Sequence, residues 1–268
     1  MRQRTLKYGE EGKDRRDGLE RVRGELPENW IAGRNPIREA LKAGRPLEKL
    51  VVAKGDLSGA AREIVRMARE SGVVVQEIER ARLDAMYPSH QGMIAYASAA
   101  AYSSVEEILA AAAEAGEAPF LVALDGITDP HNLGAIIRSA VLFGAHGVIV
   151  PKRRSAGLSP ACEKAAAGAL AYAKIARVTN LTQTIEGLKG RGIWIAAAAA
   201  DGEAYSAAKL SGAICLVIGS EGEGVSRLVR QACDFTVSIP TTGVIDSLNA
   251  SVAAGILMSA IYEGRTKR

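Results

Sequence analysis

Between Phe120 and Ile239 the chain repeats one pattern: a short, mostly apolar run, a turn rich in polar residues or glycine, then a helical stretch. The runs are Phe120–Leu124, Val148–Val150, Lys174–Val178, Ile193–Ala197, Ile214–Ile218 and Phe235–Ile239. Most of them, Phe235–Ile239 excepted, lack the apolar–polar alternation of a strand with one wet face, so both faces of the sheet must be covered. Helices expected over Leu133–Phe143, Ala161–Leu170, Leu181–Lys189 and Val225–Gln231, with another after Ile239, supply that cover. Asn180 or Thr182 is placed to cap the third of them. The pattern predicts an α/β unit on a parallel sheet, and such sheets bind ligands beyond the carboxyl ends of their strands.

Ahead of it, residues 29–98 alternate in the same way on a smaller scale. Asn35-Pro36 opens a helix with proline in its first turn, and Ile37, Ala40 and Leu41 form its apolar face. Leu50–Ala53 and Val73–Gln76 read as strands, Ala60–Arg69 as a basic amphipathic helix and Arg80–Met86 as a short helix. The turn Ser89-His90-Gln91-Gly92 then leads into a strand, Met93–Ala97. The expectation is a second, small α/β domain. Residues 99–118 hold an alanine-rich helix, Val105–Ala115, followed by Gly116 and Pro119, and read as a linker; residues 119–268 form the larger domain. Residues 1–28 mix Arg and Lys with Glu and Asp and have few apolar side chains, the composition of a disordered tail.

Composition narrows the function. At 48% hydrophobic and 24% charged, the 268 residues fit a globular protein. No apolar run approaches the roughly 20 residues of a membrane span, and the first residues have no apolar signal-like region. Cys162, Cys215 and Cys233 are widely spaced, and His90, His131 and His146 form no ligand pattern, so neither disulfides nor a metal are expected. That cysteine usage points to the reducing cytoplasm. A net charge of +4 permits nucleic-acid binding without requiring it. The small domain carries Arg34, Arg38, Lys42, Arg45, Lys49, Lys54, Arg62, Arg66 and Arg69, either as solvated faces or as an RNA-facing surface.

Three loops after strands concentrate unusual residues. In Asp125–Ala140, Asp129-Pro130 and Gly134 shape the turn, and Asn132 is placed to cap a helix. Arg138 lies among Ile136, Ile137 and Ala140, where an arginine ordinarily has an anionic partner. The second loop, Ile218-Gly219-Ser220-Glu221-Gly222-Glu223-Gly224, is glycine-rich, but its two carboxylates would repel phosphate and it matches no nucleotide fingerprint. It suits a cationic ligand, or a carboxylate that pairs with Arg138. The third runs from Ser238-Ile239-Pro240 to Ser247-Leu248-Asn249-Ala250-Ser251, at the mouth of a small-residue helix whose first N–H groups are available. That helix suits an interface or a buried core equally well.

Taken together, the three loops resemble the motifs of the SpoU (TrmH-like) group of SPOUT RNA 2′-O-methyltransferases, over roughly 150 residues from Phe120 onward. Asn132…Gly134-Ala135-Ile136-Ile137-Arg138-Ser139-Ala140 is similar to the first motif. Leu216–Gly224 is similar to the second, and Ile239-Pro240…Gly243…Ser247-Leu248-Asn249-Ala250-Ser251-Val252-Ala253 to the third. The group often has Met where this chain has Thr241, and Val where it has Ala250. Gly33–Leu41 and His90-Gln91-Gly92 resemble the group's substrate-binding domain, which is similar in fold to a small ribosomal-protein α/β domain. They are most like the members that 2′-O-methylate a guanosine of 23S rRNA.

The resemblance implies a deep trefoil knot in the larger domain, S-adenosyl-L-methionine as cofactor, RNA as partner and a homodimer. It implies cofactor contacts at Ala199, Gly219, Ile239 and Leu248, and a catalytic group of Arg138, Asn132, Glu221, Ser247 and Asn249. Glu221 is expected to orient Arg138 or a neighbouring chain. Arg34, Arg38, Lys152, Arg153 and Arg154 are the expected RNA contacts. Alternatives are 2′-O-methylation at another rRNA site of the antibiotic-resistance type, or of tRNA, and a noncatalytic RNA-binding protein.

Overall fold

The structure, a computed structural model, describes residues 26–27, 29–55, 57–244 and 247–266. The charged tail expected over residues 1–28 lies outside them except for Leu26 and Pro27.

The N-terminal unit runs β1 (Trp30–Ala32), α1 (Arg34–Lys42), β2 (Leu47–Ala53), α2 (Gly59–Glu70), β3 (Val74–Ile78), α3 (Arg80–Met86) and β4 (Met93–Ala97). Its four strands lie in the order β1-β4-β2-β3; β2 and β3 are parallel and the other pairs antiparallel. The three-residue β1 has no counterpart among the expected elements, because so short an edge strand carries no periodicity. Leu50, Val52 and Met93 face α1 and α2, burying Ile37, Leu41, Ile64 and Ala68.

The expected linker helix forms as α4 (Val105–Glu114), held by a Ser104–Glu107 capping box. It is not free-standing. Ile108 is fully buried and lies so close to Gly147 that any side chain at 147 would collide with it.

The second unit follows as β5 (Phe120–Leu124), α5 (Pro130–Leu142), β6 (Gly147–Pro151), α6 (Pro160–Ala166), β7 (Ile175–Val178), α7 (Leu181–Lys189), β8 (Trp194–Ala204), β9 (Ile214–Ile218), α8 (Arg227–Ala232), β10 (Phe235–Ser238) and α9 (Ala250–Thr266). All pairings in its six-stranded sheet are parallel, in the order β10-β8-β9-β5-β6-β7. Alternate residues of each strand serve opposite faces. Phe120, Val122 and Leu124 pack with α5, α6 and α9, whereas Leu121 and Ala123 pack with α4, α7 and α8. α5 and α6 cross where a Cβ on Gly134 would overlap the Cys162 carbonyl.

Some boundaries differ from the expectation for local reasons. α5 begins at Pro130 rather than Leu133, because Asp129 and not Asn132 is its cap: its carboxylate accepts from His131 N at 3.2 Å and Asn132 N at 3.1 Å. α6 stops at Ala166 because Ala167 and Gly168 turn left-handed, with φ of 47° and 87°. β8 runs on to Ala204, and Ala198–Gly202 loop out between its two registers with β10. At the far end of α9, Arg265 donates to Gly212 O at 2.6 Å and Ala118 O at 2.7 Å. It also pairs with Glu117 at 3.5 Å, tying the helix to the segment that enters β5.

Candidate active site

The sheet reverses winding direction around β5, which has β9 on one side and β6 on the other. The crevice at such a switch point is where open α/β sheets hold ligands. The loops after β5 and β9 are joined there by Asp125 N donating to Ile218 O and by Ser226 N donating to the Asp125 carboxylate, both at 2.8 Å. Gly219 makes the turn possible. A Cβ at 219 would overlap the backbone of Gly224 and Val225, because the loop doubles back through the Ser220–Gly224 bridge.

Three polar side chains from the three motif loops meet over this crevice. Asn132 Nδ2 donates to Glu221 Oε1 at 2.9 Å, and Asn249 Nδ2 donates to Asn132 Oδ1 at 3.0 Å and also to Glu221 Oε1. The other end of Asn249 caps α9: Oδ1 accepts from Ser251 N at 3.0 Å, Val252 N at 3.3 Å and Ser251 Oγ at 2.6 Å. Capping requires an oxygen toward the helix N–H groups, which turns the amide NH2 toward Glu221.

Arg138 stands outside the cluster. Its side chain is exposed and, among the described residues, has no bonded partner, so the expected anionic partner is not found and Glu221 does not pair with it. Six residues at about 100° each place Arg138 roughly 240° around α5 from Asn132, on another face. Ser247 is exposed and makes no bond among the described residues. Of the expected cofactor positions, Ala199 lies half-buried in the Ala198–Gly202 excursion of β8, Ile239 is half-buried just after β10, and Leu248 is 37% exposed. Together with Gly219 they sit on the β8 excursion and on the loops after β9 and β10, and present small or apolar side chains. That surface fits an adenosyl group with an uncharged ring, and the nearby Glu221 and Glu223 fit a cation better than a phosphate.

Lys152, Arg153 and Arg154 follow β6 at the same sheet edge; Arg153 and Arg154 are exposed, and Arg154 has φ of 54°. Their loop contacts the first motif loop, since Ala156 N donates to Ile127 O at 2.7 Å. Arg34 and Arg38 lie apart, on α1 of the N-terminal unit. Arg34 Nε donates to Gln91 O at 3.1 Å, and Arg38 donates to Asn35 at 2.9 Å while its buried Nε lacks a partner among the described residues. Sequence reasoning passed over Asp125 and gave Asp129 only the shaping of the turn, although Asp-Pro before a helical run is a capping signal.

No cluster of His, Cys, Asp and Glu among the described residues could hold a metal ion. Burial pushes the Cys162 and Cys233 thiols up to about 12, and raises Cys215 as well, so all three are protonated, poorly nucleophilic thiols.

This arrangement is an α/β domain with its polar loops gathered at the carboxyl edge of a parallel sheet. The chain belongs to the SpoU family of RNA methyltransferases, whose members use S-adenosylmethionine. Residues 119–259 match the SpoU rRNA methylase family, and residues 30–103 match the RNA 2′-O ribose methyltransferase substrate-binding domain. A Bacillus subtilis protein assigned by name to the TrmH family of tRNA/rRNA methyltransferases is 42% identical, covering 88% of this chain and 96% of that protein. A Mycobacterium bovis protein named as a tRNA/rRNA methyltransferase is 43% identical over 88% of this chain and 74% of its own length. Among solved structures, the SpoU methyltransferase AviRb of Streptomyces viridochromogenes, in complex with AdoMet, superposes with a TM-score of 0.56. It is 27% identical, over 87% of this chain and 89% of that one.

Proposed function

We propose that this protein is an S-adenosylmethionine-dependent RNA 2′-O-methyltransferase that modifies the ribose of a guanosine of 23S rRNA. The observation that carries the reading is the Asn132–Glu221–Asn249 cluster, which joins all three motif loops. Arg138, exposed and without a partner among the described residues, stands on another face of α5 and supplies a free cation. When bound, the cofactor supplies an electrophilic methyl on a sulfonium. Gly219, Ile239, Leu248 and Ala199 hold it through main-chain and apolar contacts, and the cluster keeps their loops in register before it arrives. Arg138 holds the target phosphate and stabilises the oxyanion developing at the 2′-oxygen. Its role is that of a cation rather than of the base. Asn132, Ser247 and Asn249 orient the ribose, and prior ordering of these groups lowers the entropic part of the barrier.

RNA reaches the site across both units, with Arg34 and Arg38 on residues 29–98 and Lys152, Arg153 and Arg154 at the catalytic edge. Residues 99–118 connect the first unit to the knotted catalytic domain, residues 119–268. Self-association as a homodimer is supported by a groove of about 900 Å³ lined by Phe143, Tyr205, Leu210, Val252 and Ile256, next to the exposed Leu142 and Tyr262. Among the described residues no helix is long and apolar enough to cross a membrane, in keeping with a cytoplasmic enzyme.

The test is calorimetric titration with S-adenosylmethionine, followed by transfer of labelled methyl to 23S rRNA from a strain lacking the enzyme. The expected product is one guanosine 2′-O-methyl group per rRNA. Methylation of a base, or of tRNA alone, would overturn the assignment.

A further inference from the structure

Within the apolar strand β2, Glu48 is out of character, yet the residue is only 7% exposed. Leu47 opposes Ala97 and Lys49 opposes Tyr96, so Glu48 is the extra residue of a β-bulge. A bulge re-aims its side chain, and this one points out of the N-terminal sheet into the second unit. Oε1 accepts from Tyr102 OH at 2.6 Å, Leu158 N at 2.7 Å and Ser98 Oγ at 3.1 Å. Oε2 pairs with Arg177 Nη2 at 3.0 Å, and Arg177 Nη1 returns to the Glu48 carbonyl at 3.1 Å. The Arg177 guanidinium also lies over the Tyr102 ring, 4.7 Å from its centroid. Only glycine fits at 157, where a Cβ would overlap the Glu48 carboxylate.

Leu158 and Arg177 belong to the second unit, so one buried carboxylate gathers donors from both units and from the segment between them. Burying a charge costs more than burying a well-packed apolar side chain, so stability alone is a poor reason for such a network. What four directed donors add is a single geometry. That geometry passes to the site along one loop. The loop that ends at Leu158 begins with Lys152, Arg153 and Arg154, and Ala156 N holds Ile127 O ahead of the Asp129 cap and Asn132.

We propose that Glu48 is a positioning residue for methyl transfer. It fixes the basic loop and the RNA-binding unit at one distance and angle from the catalytic loops, so that a structured RNA engages both at once. This role rests on the RNA methyltransferase reading and predicts a dependence on substrate size that a purely structural role does not. An RNA long enough to touch both units needs the lock; a short oligonucleotide around the target ribose does not.

The test uses the full chain with Glu48→Gln, which keeps shape and most hydrogen bonding, and Gly157→Ala, which displaces the carboxylate from the other side. Amide hydrogen exchange at Leu158 and Ala156 should quicken in both. Affinity for S-adenosylmethionine should stay within about twofold, while kcat/KM on transcribed 23S rRNA falls by about tenfold or more, since misplacement by about 1 Å can cost about 100-fold. A short target oligonucleotide should lose less than about twofold by the same argument. Combined with alanine at Lys152, Arg153 and Arg154, the losses on 23S rRNA should not multiply, because both changes act through one loop. Equal losses on long and short RNA, or multiplying losses, would overturn the positioning role. A wild-type protein that methylates neither RNA would instead overturn the enzymatic reading, a result visible before any variant is compared.

Discussion

Asn249 shows how much one side chain can be asked to do. Its oxygen closes the first turn of α9 while its nitrogen binds Asn132 and Glu221, which come from sequence positions 117 and 28 residues away. The residues of the cluster could be named from their motifs, but not their partners, because the bonds join distant loops. Arg138 illustrates the converse. Its apolar neighbours suggested a half-buried cation in need of an anion, yet successive helical residues point about 100° apart, and Ile137 is buried where Arg138 is exposed. A cation with no partner among the described residues is available to an RNA phosphate. Arg138→Ala should therefore lower kcat/KM for methyl transfer by about 100-fold or more, the scale of losing one oxyanion donor. Calorimetry should find the affinity for S-adenosylmethionine nearly unchanged; loss of cofactor binding would refute the role.

At the scale of elements, the sequence is most legible where packing is continuous. Arg80–Met86, Met93–Ala97, Phe120–Leu124, Leu181–Lys189 and Ile214–Ile218 have the bounds their patterns predict. Legibility fails where a single residue decides: Asp129 moves a helix start, left-handed Ala167 ends a helix early, and the Ala198–Gly202 excursion lengthens β8. Glycines separate the two regimes. At Gly219 the doubled-back loop leaves no room for a methyl, so Gly219→Ala should cost about 1–3 kcal/mol in urea unfolding and weaken cofactor binding. Gly187, exposed within α7 with open space around it, is the opposite case, and Gly187→Ala should stabilise by about 0.5–1 kcal/mol.

For the whole molecule, the parallel sheet was legible but its strand order was not, since apolar periodicity carries no information about which strands are neighbours. Nor was the surface charge. Lys42, Lys54 and Arg66 pair with Glu39, Glu79 and Glu70, so part of the basic character of the N-terminal unit is neutralised locally. Arg153 and Arg154 are exposed and unpaired among the described residues, as are Arg45, Arg62 and Arg69 of the N-terminal unit, so free positive charge lies on both units. Alanine at Lys152, Arg153 and Arg154 together should weaken RNA binding and reduce the slope of log K against log salt by about 2–3. An unchanged slope would remove these residues from the RNA interface.

The Arg265 clamp has a mechanical consequence. From that pin to Asn249 is about 24 Å of helix at 1.5 Å per residue, so α9 is a lever with its fulcrum at the end remote from the crevice. A tilt of only two to three degrees about the pin would carry Asn249 roughly 1 Å, enough to part it from Asn132 and Glu221. The accuracy of the site is thus governed in part from the opposite edge of the sheet, by a residue that touches nothing in it.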